Sequence, residues 1–390
     1  MLLPIDSGLS GIIGNISLLN YVALAYVVFI LVENIHHKYL FTNKEYWGIF
    51  AFMAYSLLSC MWSDYLKLNY YFFTFVFSFV ILSLATSRLY HYEEIILMKR
   101  IFLLSSFTLI IATVLNLNNT YGSRLIIKVT SEMDPNIFGC GACIIFAVLL
   151  VEYDKTKNKL LLLMIPIIIG IVVLTGSRGA LLMCAFEMFA GVILKVHSNY
   201  RIYRIKVYRK KIIEGIVIAL VLVLVLFGFY FLFSYELSDE LLNRFTIESV
   251  LSSGGSGRIS IWKAAIDKFF NSDFVHMLFG YGHGSFSDIV NFYLSTGKKP
   301  SMSHNIFLNS LIEKGIIGIV LMIIAFYQGL RKSRQNQNYI GYISLFGLAT
   351  AGLSLDVQSY RVFPMVFFVA IVFDNKERLL VSKKTKPNNL

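Results

Sequence analysis

The sequence predicts an all-α polytopic membrane protein with about eleven transmembrane helices (ten to twelve) and one long extracytoplasmic loop carrying an amphipathic helix. Three observations predict it. Of the 390 residues, 57% are hydrophobic and 15% charged, whereas a soluble domain carries about 25% charged residues; mean hydropathy is +0.68. Apolar runs of about twenty residues recur from end to end, each long enough to cross a ~30 Å hydrocarbon core. The basic residues also segregate. Seven Lys or Arg fall between Lys195 and Glu214 and five more follow Phe373, while the interval 235–303 holds six basic against seven acidic residues. Basic loops on one side and a balanced loop on the other follow the positive-inside pattern. The net charge of +12 therefore reports topology and contact with anionic lipid, not nucleic-acid binding.

Taken in order, the spans are expected at 14–33, 47–61, 70–86, 100–116, 136–152, 159–175, 179–195, 212–233, 304–330, 338–354 and 360–373. The loops 34–46, 87–99, 153–158, 196–211 and 331–337 and the C-terminal tail bear Lys or Arg, so the N-terminus is placed outside and the C-terminus inside. Met1 to Gly8 lacks a cleavable signal pattern, so the spans themselves are expected to direct insertion. No fixed-period repeat or low-complexity tract interrupts the chain. Residues 1–390 are read as a single integral membrane domain, with 235–303 as an extracytoplasmic cap within it. The four cysteines all lie in apolar segments; Cys140-Gly-Ala-Cys143 is read as small residues packed between helices.

The candidate chemistry gathers at the outer edge. Arg178, in Thr175-Gly-Ser-Arg-Gly179, sits between two apolar runs with hardly any loop to keep it in water. A guanidinium near hydrocarbon costs at least a few kcal/mol and marks a functional site by default, though a snorkelling arginine is the plain alternative. Gly176, Ser177 and Gly179 are expected to present backbone N–H groups at a helix start, where an anion binds. The connection Leu117–Pro135 contributes Arg124 and Lys128, then Asp134-Pro-Asn136, a turn and helix start. In the long loop, Ile259, Trp262, Ile266, Phe269 and Phe270 recur at helical spacing opposite Lys263, Asp267 and Lys268. That is an interfacial helix, with Arg258 at its start behind the flexible Ser252-Ser-Gly-Gly-Ser-Gly257. Gly280-Tyr-Gly-His-Gly284 lacks the strand and helix a nucleotide loop requires and reads as a turn, with His283 a candidate substrate contact. His304 alone of the loop histidines lies where a span begins. A neutral imidazole there can take a proton from a hydroxyl near neutral pH, and a capping or core histidine is the alternative. Three scattered histidines without matched carboxylates make no zinc site.

Together these pieces resemble the O-antigen ligase and Wzy-type O-antigen or capsular polysaccharide polymerase superfamily. The resemblance is carried by Thr175-Gly-Ser-Arg-Gly-Ala180, Gly257-Arg-Ile-Ser-Ile-Trp262, Gly280–Gly284, Ser303-His-Asn-Ile-Phe-Leu308 and Glu313-Lys-Gly-Ile-Ile-Gly318, over roughly Leu174–Tyr327. Trp62-Ser-Asp64 and Asp134-Pro-Asn136 also fit. It implies a GT-C-like glycosyltransferase architecture in a bacterial inner membrane, with the active site facing the periplasm. It further implies an undecaprenyl-pyrophosphate-linked oligosaccharide as donor, a sugar hydroxyl as acceptor, inversion at the anomeric centre, and no cofactor or metal. Membrane lipid, a chain-length regulator and a flippase are the implied partners. By motif, His304 becomes the general base and Arg178 and Arg258 the pyrophosphate clamp. Arg124 joins them by position only, and His283, Asn305 and Ser177 are possible substrate contacts. The histidine block reads Ser-Met-Ser-His, where a second histidine commonly precedes the first in the family.

Polymerase and ligase share the donor and differ in acceptor, another lipid-linked repeat unit or lipid A-core. The absence of an extra soluble domain and the Ile, Phe and Tyr-rich composition favour the polymerase by association. A transporter or flippase would instead predict ionisable residues at mid-span and broken helices related by repeat.

Overall fold

The computed structural model describes residues 44–64, 78–86 except 84, 92–121, 124–128, 132–200 and 257–290, then 300 and 302–373 except 359, with isolated positions 25 and 28. The expected spans at 14–33 and 212–233 lie outside the described residues, as does the Ser/Gly stretch 252–256.

The described chain is a helical bundle. Its helices are α1 (Trp47–Leu58), α2 (Tyr92–Leu115), α3 (Pro135–Thr156), α4 (Lys159–Leu174), α5 (Arg178–Tyr200), α6 (Arg258–Phe270), α7 (Phe274–Phe279), α8 (Phe286–Ile289), α9 (Ile306–Gln335), α10 (Tyr339–Ala351) and α11 (Val362–Val372). By length and composition α2, α3 and α9 are apolar enough to cross a membrane, and shorter apolar helices accompany them. The protein is a helical membrane protein. Helix starts follow the expected capping chemistry. Asp134 accepts from the Asn136 N–H ahead of Pro135, Asn158 from Leu160, Asn305 from Phe307 and Leu308, and Asn338 from Gly341. Each carboxylate or amide oxygen satisfies an N–H that the first helical turn leaves without a partner.

Three features depart from the sequence reading. α2 begins at Tyr92, within the stretch expected as the loop 87–99, because Glu93 and Glu94 suit a first helical turn. The connection 117–135 contains two short antiparallel pairs, β1 (Thr120–Tyr121) with β2 (Arg124–Leu125) and β3 (Ile127–Lys128) with β4 (Glu132–Met133). Leu125, Ile127 and Met133 are buried in the bundle core, which folds this connection back over the helix ends. Third, Glu187 lies midway along α5 with no exposed surface, where Gly347 of α10 leaves room for its side chain. The charges of the spans are therefore not confined to the outer edge.

α9 is broken. Gly315 has φ 63 and ψ −164 inside it, a conformation essentially reserved for glycine. The break releases carbonyls that would otherwise lie unpaired among apolar side chains, at a cost of several kcal/mol each. The glycine turn 280–284 meets them: Tyr281 N–H donates to Ile312 O at 3.0 Å and Gly282 N–H to Glu313 O at 2.8 Å. Gly280 is required there because a Cβ would lie 2.3 Å from the Lys314 nitrogen. The stretch read from sequence as a turn is thus a plug in a helix break. Tyr55 of α1 donates to Phe279 O at 3.1 Å and Ser63 to His283 O at 3.0 Å, closing the knot. Above it, α6 and α8 share a small apolar core of their own with Ile312: Ile261, Ala265, Phe269, Phe286 and Val290.

Candidate active site

His304 stands two residues before α9, with φ 53 in the left-handed region that a histidine rarely adopts. The residues around it hold it there. The Asn305 side chain caps α9 through its oxygen and donates from Nδ2 to Leu353 O at 3.1 Å. The buried Ser303 exchanges hydrogen bonds with the Asn305 backbone at 2.6 and 3.0 Å. Asn305, expected as a substrate contact, has its oxygen and one amide donor committed to this scaffold.

The imidazole lines a cavity of about 30 Å³ with Asp134, Asn136, Ile137 and Cys140 from the start of α3, Asp356 and Tyr360 from the α10–α11 connection, and Val362 at the start of α11. A space of that size admits a water or a single hydroxyl group. Burial, then the charge of Arg258, hold the His304 pKa down to about 4, with Asp134 pulling the other way. The imidazole is therefore neutral at physiological pH, the form in which it can accept a proton.

The arginines arrive from different elements. Arg178 is the first residue of α5 and half-buried, following a turn in which Gly176 has φ 58. Of the backbone N–H groups expected to form an anion cradle, those of Gly176 and Ser177 are taken within the turn. The Gly176 N–H donates to Val173 O, that of Ser177 to Thr175 Oγ1, and that of Ala180 to Ser177 Oγ. Ser177 is fully buried and serves as this cap. Arg124 reaches the same turn from β2, donating from Nε to Thr175 O and from Nη2 to Asn136 Oδ1, both at 2.9 Å. It thereby ties the Arg178 turn to a residue of the His304 cavity. Arg258 starts α6 after Gly257, whose φ is 79.

His283 lies elsewhere. It is buried in the knot, with Nδ1 3.5 Å from Glu313 Oε2, and is not among the residues lining the His304 cavity. Its neighbours are the fully buried Lys314, 3.0 Å from Glu313, and Gln358, which accepts from Lys314 at 3.3 Å and from Ser310 at 2.9 Å. A buried ion pair is tolerable only when further hydrogen bonds surround it, and this one has them.

Residues 160–323 match the family model described as O-antigen ligase. That match supports the resemblance to the O-antigen ligase and Wzy-type polymerase superfamily. No curated protein matches the chain. The matched stretch runs from α4 to the middle of α9 and contains Arg178, Arg258, His283 and His304. Arg124 and Asp134 precede it.

Asp356 follows it and was missed in the sequence. Only 2% of its surface is exposed, it lines the His304 cavity, and its Oδ1 has no hydrogen-bond partner among the described residues. Burial first, then the charge of Glu313, raise its pKa to about 7. The signal was present: a carboxylate in a five-residue connection between two apolar runs invites the argument made for Arg178. Arg361, two residues past the end of that connection, is held down to about 10 by burial and follows the cavity residue Tyr360.

Proposed function

We propose that this membrane protein transfers a glycan from a polyprenyl-pyrophosphate carrier to a sugar hydroxyl, and that it does so as a Wzy-type polymerase of O-antigen or capsular repeat units. The observation that carries the reading is a neutral His304 facing a hydroxyl-sized cavity that Asp134 and Asp356 also line, beside the charge of Arg258. His304 removes the proton from the acceptor hydroxyl as its oxygen attacks the anomeric carbon from the face opposite the pyrophosphate. The bond from that carbon to the leaving oxygen breaks with inversion, and the negative charge collects on the pyrophosphate. Arg178 and Arg258 stabilise that charge, since preorganised guanidinium forks act most strongly where charge develops. Arg124 holds the Arg178 turn in place. The proton taken by His304 leaves through the cavity, where the open Oδ1 of Asp356 can accept it. The site lies at one end of the bundle in a bacterial inner membrane, facing the periplasm.

The family description, O-antigen ligase, favours a second reading in which the acceptor is a lipid A-core sugar. A deletion strain complemented with wild type or His304→Ala separates the two. Loss of a polymerase leaves single repeat units on their normal acceptor. Loss of a ligase leaves bare acceptor and long polymer stranded on the lipid carrier. His304→Ala behaves as the deletion in either case; wild-type surface glycan from that variant would remove the histidine from the mechanism.

A further inference from the structure

Trp262 lies one helical turn after Arg258 on α6, and its indole N–H donates to the carbonyl oxygen of Ser303 at 2.9 Å. Ser303 immediately precedes His304. One hydrogen bond thus joins the helix that carries the arginine to the segment that carries the imidazole. We infer that Trp262 is a positioning residue, fastening α6 to the Ser303 carbonyl so that Arg258 is held at working distance from His304. The inference rests on the reading of those two residues given above.

Both ends of the contact support it. Ser303 is a fixed post: it has no exposed surface, its N–H donates to Asn309 Oδ1 at 3.3 Å, and its hydroxyl is locked to the Asn305 backbone. At the start of α6, Gly257 precedes Arg258 without a side-chain cap. Ile261, Ala265 and Phe269 hold one face of α6 against Phe286 and Ile312, but apolar contact is non-directional and tolerates small rotations and slips. A hydrogen bond with a preferred distance and angle does not. An indole N–H is a donor only, so its partner must be an acceptor, and here it takes a main-chain carbonyl. The bond therefore survives any side-chain change in the His304 segment.

The consequence is electrostatic. His304 is faced by Arg258 from α6, by Asp134 from the start of α3, and by Asp356 and Tyr360 from the α10–α11 connection. Arg258 opposes protonation of the imidazole, and Asp134 favours it. Loosening α6 weakens the first influence and leaves the others in place, so His304 protonates at higher pH.

The test uses the full chain in lipid nanodiscs and diethyl pyrocarbonate, which modifies neutral imidazoles, with the extent at each histidine read by mass spectrometry between pH 4.5 and 7. Wild-type His304 stays reactive to the acid end of the range. Trp262→Phe keeps the ring and removes the donor, and its His304 is expected to react roughly threefold more slowly at pH 5, a displaced midpoint of more than one pH unit. Arg258→Gln shifts the same way, and the double variant shifts no further than Arg258→Gln alone. The buried His283 reports folding and stays unreactive throughout; if Trp262→Phe exposes it, Trp262→Leu takes its place in the comparison. A wild-type profile in the Trp262 variants beside a shifted one in Arg258→Gln overturns the positioning role and leaves the clamp reading intact. Unshifted profiles in both overturn the coupling of Arg258 to His304, and the inference falls with it.

Discussion

His304 and Asp356 share one cavity but are displaced in opposite directions, the imidazole down to about 4 and the carboxyl up to about 7. Between those values the histidine is neutral and the acid protonated. Above about 7 the carboxylate is free to take the proton that His304 acquires. Activity is therefore expected to fall in two steps as pH drops, partially through about 7 as Asp356 protonates and completely through about 4 as His304 does. Asp356→Asn mimics the protonated acid, so it should remove the upper step and lower activity above pH 7 while leaving the lower step in place. Transfer rates measured from pH 4 to 9 check this, and an unchanged upper step in Asp356→Asn would sink the assignment. The same pair shows what the sequence makes legible. His304 and Arg178 stand out because ionisable groups at the ends of apolar runs have few structural reasons to be there. Asp356 met the same criterion yet escaped notice, because its importance lies in a neighbour 52 residues back in the chain. His283 stood out for its motif and proved to be buried against Glu313.

The break in α9 is the element on which the outer half of the molecule depends. Gly315 combines a φ of 63 with a site where a Cβ would lie 2.3 Å from the Leu278 carbonyl oxygen. Gly284 has a similar φ of 79 but open space around it. Gly315→Ala must therefore bear both conformational strain and a backbone clash, and is expected to destabilise the fold by at least about 3 kcal/mol. Gly284→Ala bears the strain alone, about 1–2 kcal/mol. Thermal unfolding in detergent should rank Gly315→Ala well below Gly284→Ala, with Gly284→Ala slightly below wild type; equal midpoints would contradict the plug. Helices α3, α4, α10 and α11 were legible within a few residues because long apolar runs bounded by Asp, Asn and Lys leave few alternatives. The break was not, since Glu313-Lys-Gly315 within an apolar run carries no local sign that distant N–H groups will meet its carbonyls. The paired strands of 120–133 are two residues each, too short for any periodicity to announce.

At the scale of the whole molecule, several helices give the same orientation independently. α3 runs from Asp134 at the His304 cavity to Lys155 and Lys157, about 33 Å along its axis. α9 runs from His304 to Lys332 and Arg334, and Lys332 pairs at 2.7 Å with Glu45 just ahead of α1. α1 then returns towards the knot at Ser63 and His283. α4 and α10 lead back to the Arg178 turn and Asp356, and α5 and α11 leave from there. Apart from α1, which ends at the knot, each of these helices has one end at the site, and the opposite ends of α3 and α9 carry the lysines. Positive residues are retained on the cytoplasmic side, so the site is expected to face out. Single cysteines test it directly. Cys140, Cys143 and Cys184 are buried, so only the half-buried Cys60 needs replacement by Ser before a reporter is added. Asn271→Cys, exposed at the α6–α7 corner, is expected to react with a membrane-impermeant maleimide in intact spheroplasts. Thr156→Cys, exposed at the far end of α3, should react only after lysis. The reverse pattern would put His304 and its arginines in the cytoplasm, where a glycan already carried across the membrane cannot reach them.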